Sequence, residues 1–227
     1  MNLLALDTSS TACSVSISIN DKKLSSHSIE PNNHTRSLIP MIEGILNKAN
    51  AKLTDLKAIV LGVGPGSFIG MRIGASVAQG LAFANNLRII PVSSMEAIAL
   101  EALESSDLDQ IIVAQDAKMN EIYIGEYKLN KSSLIELVSP IRLHSIDHEI
   151  VLDKKKRIGI TGIGAIQYPQ IIQKNDSLIT LQDEFNYPNA SYLITLGETH
   201  FASGNTIKPE NLILDYIRYK VTSNPKH

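Results

Sequence analysis

A glycine-rich turn between a strand-like apolar stretch and a helix-like stretch constrains the fold of this chain most, and it lies within residues 61–74. A strand, a Gly/Pro turn and a helix in this order can present free backbone N–H groups to a phosphate, as P-loops and dinucleotide-binding folds do. No Gly-Lys-Ser/Thr sequence follows the turn, and Pro65 has no N–H where a phosphate would need a donor. Phosphate binding by Gly64, Gly66 and Ser67 is therefore a hypothesis, and the glycines predict that some other group comes very close.

The helix that follows carries small residues at every fourth position: Gly70, Gly74, Ala78 and Ala82. This spacing aligns them as a flat ridge along one side of the helix. Each interior glycine costs about 1 kcal/mol of helix stability relative to alanine, which close packing of a second helix would explain. The second helix belongs either to the same domain or to another subunit. If it belongs to another subunit, Gly74→Arg should block the partner and leave the fold intact.

Apolar periodicity predicts the order β-β-β-α-β-α-β-α for the first half of the chain. The predicted strands cover 3–7, 12–19, 23–30, 58–63 and 88–92, and the predicted helices cover 35–49, 68–84 and 94–103. In the first helix Leu38, Ile42 and Ile45 form one apolar stripe, and neighbouring apolar residues make the surface wider than one sheet contact needs. We therefore assign these three residues, together with the small-residue ridge, to a subunit interface.

The same order of elements starts again after a polar stretch at 104–107, which divides the chain into halves 1–105 and 106–227. Leu3–Asp7 has its counterpart in Ile111–Asp116, and an aspartate ends both strands. The further elements predicted in the second half are strands at 122–125, 134–138 and 157–161 and helices at 165–173 and 190–203. Two such halves facing each other indicate an α/β fold of two ribonuclease-H-like halves, each opening with a β-meander, as in actin, Hsp70 and the sugar kinases. The C-terminal tail is expected to pack back on the first half.

Ligands of open α/β sheets lie at the carboxyl ends of the strands, so Asp7, Asp116 and the 64–67 loop are expected to meet at one cleft. A second glycine loop, Gly159–Gly164, follows a strand in the second half but has little polar lining. We assign Asp7, Thr8, Ser9, Gly64, Gly66 and Ser67 to a residual, degenerate nucleotide site. The alternative for Asp7 is a turn residue that accepts hydrogen bonds from the backbone that follows it.

Composition excludes several classes of protein. The 227 residues carry 21 Lys and Arg against 23 Asp and Glu, and this net charge of -2 offers no general attraction to nucleic acid. The single cysteine, Cys13, cannot form an internal disulfide. No basic leader and no apolar run of membrane-spanning length is present, so we expect a cytoplasmic protein.

Histidine spacing gives no sign of a metal site. His144 and His148 are the one pair at helical spacing, and they lie in a polar stretch typical of a surface. No Ser/His/Asp or Cys/His set is recognisable in the sequence, so we predict neither a metal nor a catalytic residue.

Several segments together resemble the TsaB (YeaZ) family, densely over the first half and faintly at Tyr216-Ile217-Arg218. They are Asp7-Thr8-Ser9, His34-Thr35, Gly64-Pro65-Gly66-Ser67-Phe68, Arg72-Ile73-Gly74, Gln79-Gly80-Leu81-Ala82 and Asp116-Ala117-Lys118-Met119. The resemblance implies a non-catalytic subunit that pairs with the transferase TsaD and is joined by the small ATPase TsaE. That machine makes N6-threonylcarbamoyladenosine at position 37 of tRNAs reading codons that start with A. It also implies a homodimer when the chain is alone, contact with tRNA through the complex, and ATP or ADP held mainly by the partners.

Two departures bear on this resemblance. The family usually has threonine where this chain has Ile69, which weakens a polar role for that position. Ser94-Met95-Glu96-Ala97-Ile98 stands where TsaD-like proteins carry a His-x-x-x-His metal pair, so neither ligand is present. A stand-alone phosphotransferase of the same fold and, more weakly, a metallopeptidase-like protein remain as alternatives.

Overall fold

A computed structural model describes residues 1–29, 33–150, 156–172, 179–182, 185–214 and 216–217. The strands are β1 (Leu3–Asp7), β2 (Ala12–Ile19), β3 (Lys22–Ile29), β4 (Ala58–Gly62), β5 (Arg88–Val92), β6 (Gln110–Lys118), β7 (Glu121–Leu129), β8 (Ile135–Ser145), β9 (Ile158–Thr161) and β10 (Ile179–Gln182). The helices are α1 (His34–Ala49), α2 (Phe68–Ala84), α3 (Ser94–Glu104), α4 (Ile163–Gln167) and α5 (Ala190–Ala202).

The ten strands form two five-stranded sheets with the same topology. The first sheet has the order β3-β2-β1-β4-β5, and the second has the equivalent order β8-β7-β6-β9-β10. In each sheet the first three strands are antiparallel neighbours, and the last two run parallel to the first. Asn20 and Asp21 both adopt positive φ and close the tight turn between β2 and β3. The predicted α/β fold of two ribonuclease-H-like halves is confirmed.

Helices cover both faces of the first sheet. α1 and α2 pack on one face, where alternate residues of β1 and β4, such as Leu6 and Leu61, enter a common core. α5 packs on the other face, where its Leu193 and Ile194 contact the core that contains Val60. α3 adds Ala97 and Leu100 to this core and packs with its remaining apolar side against the second sheet. α5 follows the second sheet in the chain but lies against the first. The Oγ of Ser14 on β2 accepts a hydrogen bond from the backbone N–H of Ala190, at 2.9 Å, and so fixes the start of α5.

The second half departs from the prediction in three places. The helix predicted over 165–173 is the short α4 followed by a 3₁₀ turn at Pro169–Ile172, because a proline cannot donate the hydrogen bond that would continue the helix. The strand predicted at 134–138 is the beginning of the longer β8, and β10 was not predicted. Gln173 and Glu30, the last residues of two predicted elements, lie outside the described residues. Among the described residues, no helix is both long enough and apolar enough to cross a membrane.

The small-residue ridge of α2 lies inside its own half. A Cβ on Gly74 would come within 2.5 Å of the Thr8 Oγ1, and one on Gly70 within 2.0 Å of the Thr8 carbonyl oxygen. Ala78 and Ala82 are fully buried in the same core.

Leu38, Ile42 and Ile45 of α1 are also buried, with at most 3% of each side chain exposed. The assignment of these residues and of Gly70, Gly74, Ala78 and Ala82 to a subunit interface is therefore wrong. The glycines allow α2 to approach the end of β1, and the apolar stripe of α1 covers the same core.

Gly74→Arg is expected to unfold the chain rather than to spare it. Adding a side chain to a closely packed core costs typically 1–3 kcal/mol, and here an unpaired charge would be buried as well. We expect a loss of at least about 3 kcal/mol in the free energy of unfolding, measured by urea denaturation.

Gly80→Ala is the matched control for that variant. Nothing lies within 4 Å of a Cβ at Gly80, so alanine should stabilise α2 by up to about 1 kcal/mol. A Gly74→Arg protein as stable as the wild type would contradict the packing described here.

Candidate functional site

Asp7 is the last residue of β1, and its side chain stabilises the turn that follows. Its Oδ1 accepts hydrogen bonds from the backbone N–H and the Oγ of Ser9, both at 2.7 Å. This is the turn-forming role of an aspartate, which was the alternative to nucleotide binding expected from the sequence. His34, the first residue of α1, places its Nε2 2.8 Å from the Ser10 carbonyl oxygen. The turn after β1 therefore also fixes the start of α1.

Ser94 connects this turn to the glycine-rich loop. Its Oγ donates to the Asp7 Oδ2 at 2.6 Å and accepts from the Gly64 N–H at 3.0 Å. Its own N–H donates to the Gly64 carbonyl oxygen at 2.9 Å. Ser93 lies at the N-cap position of α3, where serine is common, but its side chain does not cap the helix. The sequence alone cannot distinguish a serine that caps a helix from one that, like Ser94, joins two distant segments by hydrogen bonds.

Several backbone donors in and after the glycine-rich loop are used within the chain. The Ser67 N–H donates to the Ser9 carbonyl oxygen at 2.6 Å, and the Gly70 N–H donates to the Ser67 Oγ at 3.2 Å. Gly66 is needed because a Cβ there would lie 2.1 Å from the Ser9 carbonyl oxygen.

The structure thus brings the candidate residues together, but they bind one another. The Thr8 Oγ1 adds a further bond, donating to the Gly70 carbonyl oxygen at 2.8 Å. The result is a closed junction between the end of β1, the glycine-rich loop and α3. Its chemistry is to hold these elements in place, and the backbone donors of Gly64 and Ser67 do not point outward as a phosphate site would require.

Two carboxyl groups near the junction have raised pKa values. Burial raises the pKa of Asp7, although its hydrogen bonds from Ser94 and Ser9 and the nearby His34 act in the opposite direction. Burial also raises the pKa of Glu96, two residues after Ser94 in α3, to about 7. Both groups therefore keep a proton to higher pH than an exposed carboxyl does. Nothing in the sequence singles out Glu96, because a glutamate in the first turn of a helix is ordinary.

The second half has no open glycine loop at the equivalent position. A Cβ on Gly162 would lie 2.3 Å from the carbonyl oxygen of Ala114 on β6, and one on Gly164 would lie 3.0 Å from it. These glycines are explained by the close approach of β6. Asp116 accepts from the backbone N–H of Lys118 at 2.8 Å and forms an ion pair with its side chain.

The histidine pair is joined through the backbone. The Nε2 of His144 lies 2.9 Å from the His148 carbonyl oxygen. Within the part of the chain that the structure describes, no group of three His, Cys, Asp or Glu side chains is placed to hold a metal ion.

The outward side of α2 carries an exposed stripe that sequence reasoning missed. The stripe consists of Ile69, Arg72, Ser76, Gly80 and Phe83, which recur at helical spacing and are all exposed. Ile69 is 70% exposed and Phe83 is 80% exposed. We call these five residues the α2 stripe. The helical spacing of these residues is visible in the sequence. The interface was instead assigned to the small-residue ridge on the opposite side of α2.

The α2 stripe has small residues in its middle and large apolar side chains at its ends. Ser76 and Gly80, which have small side chains or none, lie between the large side chains of Ile69 and Phe83. Val77, beside Ser76, is only half-buried and widens the apolar border. A second helix could therefore come close to α2 at its centre.

Ile39 on the neighbouring helix α1 is also apolar and exposed, with 52% of the residue exposed. A Cβ added at Gly80 of α2 or at Gly44 of α1 would meet nothing within 4 Å beyond its own helix backbone. Packing among the described residues therefore gives no reason for either glycine.

Ser94→Ala is expected to loosen the junction. The substitution leaves the Asp7 Oδ2 and the Gly64 N–H buried without this partner, and each such loss costs about 1–3 kcal/mol. We expect a decrease of about 2–4 kcal/mol in the free energy of unfolding by urea denaturation. Ser93→Ala is the control, since the Ser93 Oγ makes one long contact of 3.3 Å with the Gly64 carbonyl oxygen. Equal effects of the two substitutions would refute the bridging role.

Known proteins similar to this chain agree with this fold. Residues 26–206 match the family described as "TsaD: tRNA N6-adenosine threonylcarbamoyltransferase". The "tRNA threonylcarbamoyladenosine biosynthesis protein TsaB" of Haemophilus influenzae is 34% identical over 235 residues, which cover 98% of this chain and 95% of that protein. The protein of the same name from Escherichia coli is 32% identical over 224 residues, covering 97% and 96%.

A solved structure shows the same relationship in three dimensions. The structure described as "YeaZ from Pseudomonas aeruginosa" superposes with a TM-score of 0.85 at 30% identity, covering 95% of this chain and 99% of that one. In both sequence and structure, over nearly its whole length, the chain belongs to the TsaB (YeaZ) family.

Proposed function

We propose that this chain is a scaffold and activating subunit of tRNA modification. It pairs with a TsaD-like transferase that attaches the N6-threonylcarbamoyl group to adenosine 37 of tRNAs reading codons that start with A. Its relatives from two organisms are named for the biosynthesis of this modified nucleoside. The match to the TsaD family supports the pairing, because chains of one fold can associate pseudo-symmetrically.

The α2 stripe is the observation that carries this proposal. It exposes Ile69 and Phe83 on one helix face, and large apolar residues grouped on a surface mark interaction sites. Gly80 lies between them and costs about 1 kcal/mol in a helix interior. A second backbone packed over Ser76 and Gly80 would explain this glycine. The subunit contact therefore lies on the outward side of α2 and not on the buried ridge.

The closed junction supports an activating role without a cofactor of its own. The Gly64 N–H donates to Ser94 of α3 and the Ser67 N–H donates to the turn after β1, so ATP or ADP would be held mainly by the partner subunits. A TsaE-like ATPase joins the complex. This chain contacts tRNA through the assembled complex. Without its partner, the chain associates with a second copy through the same stripe.

Gly80→Arg should prevent partner binding and tRNA modification while leaving the fold intact. A long side chain would hold the two helices apart, whereas the open space at Gly80 accommodates it in the free chain. The measurements are gel filtration with the TsaD-like subunit and modified-nucleoside analysis of tRNA in a reconstituted system. Gly80→Ala is the control and should retain binding. Full modification without this chain, or with Gly80→Arg, would refute the proposed function.

The purified chain should neither retain stoichiometric zinc or iron nor turn over ATP at an enzymatic rate. The reason is that the backbone donors of Gly64 and Ser67 are used internally and that Ser94 and Ile98 replace the histidine pair. Elemental analysis and a phosphate-release assay test this expectation. Turnover of about 1–1000 per second, or a tightly bound transition metal, would favour the phosphotransferase or metallopeptidase alternative.

A further inference from the structure

We propose that Arg72 is the specificity-determining residue of the α2 stripe and that it receives a carboxylate from the partner subunit. The inference rests on the proposed function and goes beyond it, because it assigns a chemical character to the partner's surface. The surface that docks on α2 is acidic opposite Arg72 and uncharged around it.

The structure holds Arg72 in a fixed position on the surface. Its guanidinium carbon lies 3.5 Å from the centre of the Phe68 ring, a cation–π contact. Its Nε donates to the Tyr216 hydroxyl at 3.2 Å, and the Tyr216 ring lies 5.7 Å from the Phe68 ring. An arginine that is already ordered loses less freedom when it binds a ligand.

No other described residue accepts a hydrogen bond from the outer donors of this guanidinium. The Nε is the one nitrogen of the Arg72 side chain that hydrogen-bonds to another described residue, and the side chain is exposed. The two Nη groups can therefore present a planar pair of N–H donors to solvent. That geometry matches a carboxylate, which accepts two parallel hydrogen bonds from an arginine.

Arg72 also has no charged neighbour on its own helix. It is the single charged residue of α2, and the other members of the α2 stripe are the uncharged Ile69, Ser76, Gly80 and Phe83. An arginine surrounded by uncharged groups becomes desolvated when a partner covers it, and it then needs an opposite charge. Tyrosine and arginine within such a surface are among the residue types that most often dominate binding energy.

The sequence of α2 favours an acidic partner over a second copy. α2 contains no Asp or Glu, so the α2 stripe of a second copy would offer no carboxylate to Arg72. Two copies packed stripe to stripe would therefore cover both Arg72 side chains without supplying an opposite charge. An acidic surface would instead be attracted, and like-charge contacts are a known means of excluding wrong partners. The heterodimer is therefore the favoured assembly, and the homodimer is the weaker one.

The test is the affinity of the full chain for the TsaD-like subunit, measured by titration calorimetry at several salt concentrations. Arg72→Gln should weaken binding by at least about 30-fold, as expected when one partner of a buried charge pair is removed. Its affinity should also fall less steeply with salt than that of the wild type. Arg72→Lys keeps the charge but loses the planar fork, so it should keep the steep salt dependence with an intermediate affinity.

Controls separate the charge from other effects. Arg142→Gln removes the same charge from the second half, where Arg142 pairs with Glu126 at 3.1 Å, and it should bind like the wild type. Tyr216→Phe keeps the ring and removes the hydroxyl that orders Arg72, so it should lose affinity by only several-fold. Circular dichroism melting checks that each variant is folded.

Each outcome decides a separate point. If Gly80→Arg abolishes binding while Arg72→Gln binds like the wild type, the role of Arg72 is refuted and the proposed function stands. If Gly80→Arg still binds, the docking surface itself is wrong. An unchanged salt dependence in Arg72→Gln, or an equal loss of affinity in Tyr216→Phe, would show that Arg72 acts only by packing. If Arg72→Gln weakens self-association as much as partner binding, the occupant is a second copy and the proposal fails.

Discussion

The close approach of α2 to the backbone of Thr8 is the contact on which the first half depends. It is possible because residues 70 and 74 have no side chains, so that the helix lies directly on the end of β1. The same approach brings Ser67 within hydrogen-bonding distance of Ser9 and closes the glycine-rich loop. Asp7 accepts a hydrogen bond from the Ser94 hydroxyl, which links the start of α3 to the same point. A single steric requirement therefore determines the positions of two helices and one loop.

That requirement also explains why the chain retains the outline of a nucleotide site in which the backbone donors of Gly64 and Ser67 are used internally. The strand end, the aspartate and the glycine loop are where a phosphate site of this fold would have them. In this chain they satisfy each other's hydrogen-bonding groups, and a buried polar group that is already satisfied gains little from a ligand. The outward face of α2, in contrast to the junction, exposes apolar side chains beside the ordered guanidinium of Arg72.

The regular elements of the first half were largely predictable from the sequence. The periodicity of apolar residues located α2 and β5 at their observed bounds, and the repeated strand predicted the second sheet. The prediction that Asp116 ends its strand is wrong, because β6 continues to Lys118 past an irregularity in its pairing with β7. α1 continues through Pro40, which lies inside the helix and removes one of its backbone hydrogen bonds.

What the sequence could not show is which side of a helix faces the sheet. Spacing places Gly74 and Ala78 on one face but does not say what covers that face, so a buried ridge was taken for a surface. Residues 179–182 are too short an apolar stretch to separate a strand from a loop. The bridging role of Ser94 depends on Asp7 and Gly64, which are distant in sequence and meet only in the fold.

The position of α5 has a consequence for synthesis of the chain on the ribosome. One apolar face of the first sheet, including Leu3 and Val60, is completed by a helix that follows the entire second sheet in the chain. Translation adds ~5–20 residues per second, so this face is only partly covered by α3 for several seconds after β5 has been made. The first half therefore reaches its native state after the second half has been synthesised, and a chaperone that shields apolar strands would act on this face during that interval.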